Sequence, residues 1–552
     1  MKYIFCALMA AGMAFAQAPS VKTGGVVNAA SYGLAGLPGG AIAPGSMIVI
    51  FGSNMGPATL QQATSFPLPT SMGGTSLKVT VGSTTVTPIL IYTSAAQIAA
   101  ILPSSTPVGA ATMVVTYNGN TGAGVSFQVA ASNFGIFSSN SAGNGPGIIA
   151  DANSKIFASL SAANVGQTVV IWGTGLGAVA GDEAGGPLPG DQPAIPVEVY
   201  VGNVKATVSY RGRSGCCGGV DQISFAVPNV TGCRVPVQVK INNSVSNSIT
   251  MPITAAGTSA CSDPGGPTPA ELQRYISKGS VSIGGISLVR FSSSAAIPGF
   301  GNFSVTADVG AATFAKYPAS VLDTAGNPFN AVTSGSCIVT QFRGSTGTAA
   351  DPVLPTWLDA GTSLTVTGSG LTKLLNKTVL GTSTSYTGEL GNIQSLPGVP
   401  LTAGMLDPGT VTVSGAGGAD VKAFTASINV ATPLLWTNQD ATTTINRANG
   451  LTVNWTGGDQ TGFVYIAGSS LASVASDSPG AQFICYVNPA LKTFTIPQTV
   501  LLALPVSATI SGISTGQLAV GSFSAGKPFT AVGLDYAYLL TLINSQKSLN
   551  YQ

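Results

Sequence analysis

Apolar and polar residues alternate in short runs along most of the chain. Met47 to Phe51, Leu77 to Val81, Pro88 to Tyr92, Met113 to Tyr117 and Val125 to Val129 are each bounded by turn residues. A period of two places one side of each run on a core, so these runs predict short strands, and their close spacing predicts a β-sandwich. Pro67-Leu68-Pro69, Gly73-Gly74 and Asn118-Gly119 lie between them. Each has a stereochemical reason to turn, and Asn118-Gly119 predicts a tight hairpin.

The pattern then returns. Gly45-Ser46-Met47-Ile48-Val49-Ile50-Phe51-Gly52-Ser53-Asn54-Met55-Gly56 is matched by Gly166-Gln167-Thr168-Val169-Val170-Ile171-Trp172-Gly173-Thr174-Gly175-Leu176-Gly177. Pro187-Leu188-Pro189 answers Pro67-Leu68-Pro69, Val199-Tyr200-Val201-Gly202 answers Val79-Thr80-Val81-Gly82, Gln222-Ile223 answers Gln97-Ile98, and Val227-Pro228 answers Leu102-Pro103. The offset stays between 120 and 125, which predicts two copies of one fold with length changes confined to loops. Units over 25–132 and 133–255 follow. Phe51 and Trp172 share a repeat position on a central strand and are expected as core anchors.

Residues 256–269 are rich in Gly, Ser and Pro and read as a linker. Thr268, Pro269 and Glu271 then form a capping box before a short helix. Alternation resumes through Val281 to Phe291, Gly301 to Val309 and Cys337 to Phe342. A small repeat follows, Leu358-Asp359-Ala360-Gly361-Thr362 echoed by Leu406-Asp407-Pro408-Gly409-Thr410, each leading into a strand. A third, β-rich unit is expected over 270–430. Thr432-Pro433 opens a fourth sandwich over 431–535, and 536–552 reads as a tail.

Composition sharpens the picture. Charged residues are 7% of the chain against a usual quarter or so, with 71 glycines, yet 45% of residues are apolar, which is enough to bury a core. The whole is expected to be all-β, a row of tandem immunoglobulin-like β-sandwich domains. Met1-Lys2-Tyr3, the apolar run Ile4 to Phe15 and Ala14-Phe15-Ala16 have the form of a signal peptide (1–16) cleaved after Ala16, so a secreted or cell-surface chain is expected. No run reaches the roughly 18 apolar residues of a membrane span. A net charge of +2 supplies no basic field for nucleic acid.

On these residues the first two units resemble the IPT/TIG immunoglobulin-like domain. More closely, Val27-Asn28-Ala29-Ala30-Ser31-Tyr32, Ala43-Pro44-Gly45-Ser46, Pro67-Leu68-Pro69, Gly135-Ile136-Phe137 and Thr174-Gly175-Leu176-Gly177 resemble an uncharacterised domain family of Solibacter-type secreted proteins, over roughly 25–255. Gly212 to Ile223 with Cys216 and Cys217, together with Cys233 and Cys261, resembles a cysteine-bearing subgroup. The resemblance implies no catalytic residue.

Once Cys6 leaves with the signal peptide, six cysteines remain: Cys216, Cys217, Cys233, Cys261, Cys337 and Cys485. An even number in an exported chain points to disulfides. The expected pairing joins Cys216 and Cys217 separately to Cys233 and Cys261 and leaves Cys337 to Cys485, with a Cys216–Cys217 bridge as the rival. Histidine is absent and the spacing is not that of a zinc site. No catalytic residue, metal or cofactor is expected.

Other candidates are weaker. Gly173-Thr174-Gly175-Leu176-Gly177 has the look of a phosphate loop, but Gly185-Gly186-Pro187 breaks the helix such a loop requires. Asp151-Ala152-Asn153 is a fragment of a Ca²⁺ loop without its further acids. Glu389, Asp440, Asp459 and Asp477 are the acids from which a glycosidase pair would come. Trp436, Trp455, Tyr465 and Tyr486 concentrate aromatics in the fourth unit and are the candidates for sugar stacking. The expectation is a non-enzymatic structural or adhesive protein whose partner is an extracellular protein or polysaccharide. The alternatives are a carbohydrate-binding module in the fourth unit and a polysaccharide hydrolase with its carboxylates in 266–552.

Overall fold

The computed structural model describes residues 17–263, 266–297, 301–323, 332–343, 355–391 and 404–552. The expected signal peptide lies outside the described residues. The chain is all-β, built as tandem β-sandwich units.

In the first unit the strands Ser20–Asn28, Met47–Ser53, Gln97–Ile101, Ile89–Thr93 and Gln61–Gln62 form one sheet in that order. It faces a second sheet centred on Gly109–Tyr117 and Thr75–Val81. Alternation decides what lies between them: Ile48, Ile50, Leu77, Val79, Ile98, Met113 and Val115 make the core. Asn118 and Gly119 both have positive φ, as the tight hairpin between Tyr117 and Asn120 requires.

The second unit repeats this construction. Ile171 lies opposite Ile223, as Ile50 lies opposite Ile98, and all four are buried. Trp172 pairs with Gln222 just as Phe51 pairs with Gln97. These two aromatics correct an expectation. Both are half-buried, because a strand turns alternate residues to opposite faces and the Ile48/Ile50 and Val169/Ile171 positions already point inward.

A buried ion pair of the second copy packs against the first. Arg213 meets Asp221, and both side chains are nearly or fully buried. The other carboxylate oxygen of Asp221 accepts the N–H groups of Gly175 at 2.7 Å and Leu176 at 2.8 Å, while Arg213 also donates to the Gly177 carbonyl at 2.8 Å. Burial pushes the Asp221 carboxyl up, opposed by Arg213 and by those two donors. The guanidinium lies against Gly45 of the first unit, where φ is +75° and a Cβ would collide with it. Beside it the Thr174 hydroxyl accepts from the Met47 N–H at 2.9 Å and donates to the Gly219 carbonyl at 2.6 Å.

The disulfides also depart from expectation. Cys216 bonds to Cys217 and Cys233 to Cys261, while Cys337–Cys485 stands as expected. Cys216 and Cys217 sit in the loop before the strand Asp221–Ala226, and Cys233 lies beyond its far end. Six strand residues span about 20 Å, far outside the roughly 7 Å within which two Cα atoms can be bridged. The expected linker is tied down at Cys261, and the Cys233 N–H donates to Asp263 at 3.0 Å.

The helix Pro269–Lys278 begins on its capping box, with Thr268 and Glu271 each bonding the other's backbone. Beyond it the expected division at 430/431 gives way to one continuous sheet. A long hairpin, Ser280–Ile297 with Gly301–Pro318, carries on one side the strands Ser383–Gly391, Leu371–Leu380, Ser363–Gly368, Gly409–Gly417 and Lys422–Val430. On the other side lies Tyr536–Ser548, parallel to Ser280–Ile297 and antiparallel to Gln517–Phe523. The expected tail is therefore a central strand. Its alternation of half-buried and buried residues was hidden by tyrosines, serines and a lysine. Ser336–Arg343, read in the third unit, pairs instead with Pro479–Val487 of the fourth, with Cys337 directly opposite Cys485.

Two surface ion pairs carry depressed carboxyls. Lys205, assisted by Lys240 and Tyr200, draws Glu198 down to about 2, and Lys377 draws Asp359 down to about 2. These groups ionise more readily in the folded than in the unfolded chain. Their contribution to stability is thus full above about pH 5 and is lost as pH falls toward about 2. Lys377→Met should make the fall of the urea midpoint over this range shallower. Separately, Arg213→Met leaves Asp221 buried and unpaired, and urea unfolding of the first two units should lose about 3–5 kcal/mol.

Candidate functional site

A concavity of about 640 Å³ lies where the first, second and fourth units meet. The first unit contributes the outer face of its Ser20–Asn28/Met47–Ser53 sheet, with Phe51 and Gln97 side by side across the ladder. Tyr32, held at φ 51°, leans over Phe51 with ring centroids 6.3 Å apart and planes at 38°. Burial pushes the Tyr32 hydroxyl up, so it stays a protonated phenol able to donate.

The second unit supplies the Ser141–Asn144 loop and the turn Val245–Ser248. Asn247 fixes that loop by donating to the carbonyls of Ile136 at 2.9 Å and Gly143 at 2.8 Å while accepting from the Ile136 N–H. Ser248 is 3% exposed, and its hydroxyl has no partner among the described residues.

The fourth unit supplies the last residues of Ser336–Arg343, the outermost strand of the long sheet. Gln341 accepts the Leu34 N–H at 3.0 Å, joining the fourth unit to the first. Arg343 faces Asp477 at 3.6 Å and packs near Gly24. The second and fourth units also meet where Asn203 donates to the Gly335 carbonyl at 2.9 Å. The cleft thus combines an aromatic wall, planar amides and one opposed charge pair, which suits it to hold a polar ligand by hydrogen bonds.

Few residues singled out in the sequence lie here. Trp436 (4% exposed) and Trp455 (1%) are core residues of the fourth unit, their indole N–H groups bonded to Asn438 and the Pro489 carbonyl. Neither is placed to stack on a sugar, which corrects that expectation. Tyr465 and Tyr486 lie directly opposite each other on the face away from that core, ring centroids 6.1 Å apart, with Phe523 5.3 Å from Tyr486. Burial raises both hydroxyls, Tyr486 to about 12.

Glu389, Asp459 and Asp477 do not converge, and the Asp440 carbonyl accepts from Lys547 at 3.3 Å. Asp459 and Asp477 flank opposite ends of the nine-residue strand Phe463–Leu471, about 30 Å of extended chain. Glu389 is on Ser383–Gly391, five strands away across the sheet, about 24 Å. Only Asp477 borders the cleft. The Gly173–Gly177 loop does present N–H groups to an anion, but the anion is the chain's own Asp221. Asp151 closes a local turn by accepting from Asn153 and Lys155. Among the described residues no cluster of three or more His, Cys, Asp or Glu could hold a metal ion, and no helix is long and apolar enough to cross a membrane.

Sequence reasoning missed Tyr32, Gln341, Arg343, Asn247 and Ser248 as a group. Their separation in the chain is the reason, and the only signal was the Phe51/Gln97 pairing preserved in the repeat.

No family model and no curated protein matches the chain. Among solved structures it is similar to the Bacteroides ovatus mixed-linkage glucan utilization locus protein SGBP-B in complex with a mixed-linkage heptasaccharide. That match has 11% identity over 72% of each chain and a TM-score of 0.13. Sidekick-1 immunoglobulin domains 1–4 match at 10% identity over 88% of this chain and 94% of that one, TM-score 0.12. Domains 5–6 of the S-layer protein SbsC match at 10% identity over 43% and 99%, TM-score 0.14. At such scores these likenesses carry no argument about ligand or partner.

Trp455→Ala should lower the unfolding free energy by about 3–5 kcal/mol through the cavity it leaves. A melting temperature equal to that of the unaltered protein would remove Trp455 from the core.

Proposed function

We propose that the chain is an extracellular, non-enzymatic protein with a structural or adhesive role, holding a partner on a scaffold of interlocked β-sandwiches. The observation that carries this reading is the way the units are joined. The first and second are bolted by Arg213, Asp221 and Gly45, the third and fourth share one sheet, and the second and first both bond to the fourth. Such joints fix the relative positions of surfaces, which serves presentation. Three disulfides support an oxidising compartment. The secretory leader and the IPT/TIG-like resemblance of 25–255 belong to the same reading.

A hydrolase would need two carboxyls about 5 to 10 Å apart. Glu389, Asp459 and Asp477 do not supply that pair, for the reasons of spacing given above, and Asp440 does not line the cleft. General-base catalysis by imidazole is excluded by composition, since the chain has no histidine.

Full-length oxidised protein should be retained on insoluble polysaccharide or cell-wall material and should release no product from dyed polysaccharides, chromogenic esters or casein. Product release that disappears when two carboxylates are changed to amides would overturn the reading.

A further inference from the structure

We infer that the three-unit cleft is a binding site for a neutral saccharide chain end, an assignment that rests on the reading of the protein as a binding scaffold. Its volume, about 640 Å³, falls within the roughly 300–1,000 Å³ of small-ligand sites. The walls divide by chemistry. Phe51 and Tyr32 give a splayed apolar surface that fits the C–H face of a pyranose, and both are held from behind by strand pairing and burial.

Opposite and beside them stand groups that address hydroxyls. Gln97 adjoins Phe51, and the Arg343 guanidinium and Asp477 carboxylate are planar and able to make paired hydrogen bonds of the spacing two neighbouring hydroxyls present. The Ser248 hydroxyl lies in the wall of the cleft, buried and with no partner among the described residues.

Charge selects a neutral ligand. Arg343 already has Asp477 opposite at 3.6 Å, so the inner wall offers no uncompensated cation to an acidic sugar, and Lys22 is exposed at the rim. The rival occupant is an extended peptide added to the open edge of Ser336–Arg343. Gln341 reaches across that edge to Leu34, and Arg343 to the neighbourhood of Gly24, so an added strand would have to displace both.

The test is titration calorimetry on the full-length oxidised protein with cellohexaose, mannohexaose and chitohexaose, with trigalacturonate as the acidic comparison. At least one neutral hexasaccharide should bind saturably at or below roughly millimolar concentration. Phe51→Ala and Arg343→Gln should each weaken it about tenfold or more, and Tyr465→Ala, on the separate aromatic face, should leave it unchanged. Arg343 is partly exposed, so Arg343→Gln carries the test if Phe51→Ala does not fold. The assignment is overturned if no neutral hexasaccharide binds, if both cleft variants bind as before, if only Tyr465→Ala loses binding, or if trigalacturonate binds more tightly. In each of these cases continued retention on cell-wall material leaves the scaffold reading standing. Release of reducing sugar from any hexasaccharide sinks the scaffold reading itself.

Discussion

One buried pair of charges lies at the centre of the joint between the first two units. Arg213 and Asp221 are removed from water together, and each also bonds to the backbone of the Gly173–Gly177 loop. A pair so buried contributes little net stability against a well-packed apolar substitute, but it fixes geometry, because any displacement leaves a charge unpaired. The neighbouring copy has to meet the guanidinium with a residue that lacks a side chain and tolerates positive φ. Gly45 does both. The carboxylate in the second copy is held by the N–H groups of Gly175 and Leu176, where the first copy has Asn54 and Met55, while in the first copy Gly45 meets the neighbour's cation.

The second half is organised by sharing strands. Tyr536–Ser548 completes the ladder between Gln517–Phe523 and Ser280–Ile297, and the cores on either side contain Leu539 in one case and Leu549 with Tyr551 in the other. Ser336–Arg343 leaves the third unit to form the outermost strand of the fourth, pinned by Cys337–Cys485 at directly opposed positions. That displacement brings Gln341 and Arg343 to the first unit and so builds the third wall of the cleft.

Local chemistry was legible in the sequence. The Asn118-Gly119 hairpin, the Thr268–Glu271 capping box and the register of the repeat down to Phe51/Gln97 and Trp172/Gln222 all follow from side-chain period and backbone preference. The direction each strand face takes was misread at Phe51 and Trp172, because size suggested burial while parity with Ile50 and Ile171 decided it. Cys216 and Cys217 were misassigned for lack of the length of the strand that separates them from Cys233. The cleft was not legible at all. Its walls come from residues such as Tyr32, Ser248 and Arg343, and no periodicity connects positions that meet only when three units close upon one another.

The parallel pairing of Tyr536–Ser548 with Ser280–Ile297 has a kinetic consequence. Its partners are separated by roughly 250 residues, and parallel, long-range pairing is slow because the loop must close before any contact rewards it. The Ser280–Ile297 hairpin can form early from neighbouring residues, yet one flank of it must wait unpaired until the last strand is synthesised. During that interval the flank is an open template for another chain, the circumstance in which folding intermediates aggregate. The serine run Ser292 to Ser294 within that flank lowers its apolar character over the stretch that waits longest for a partner.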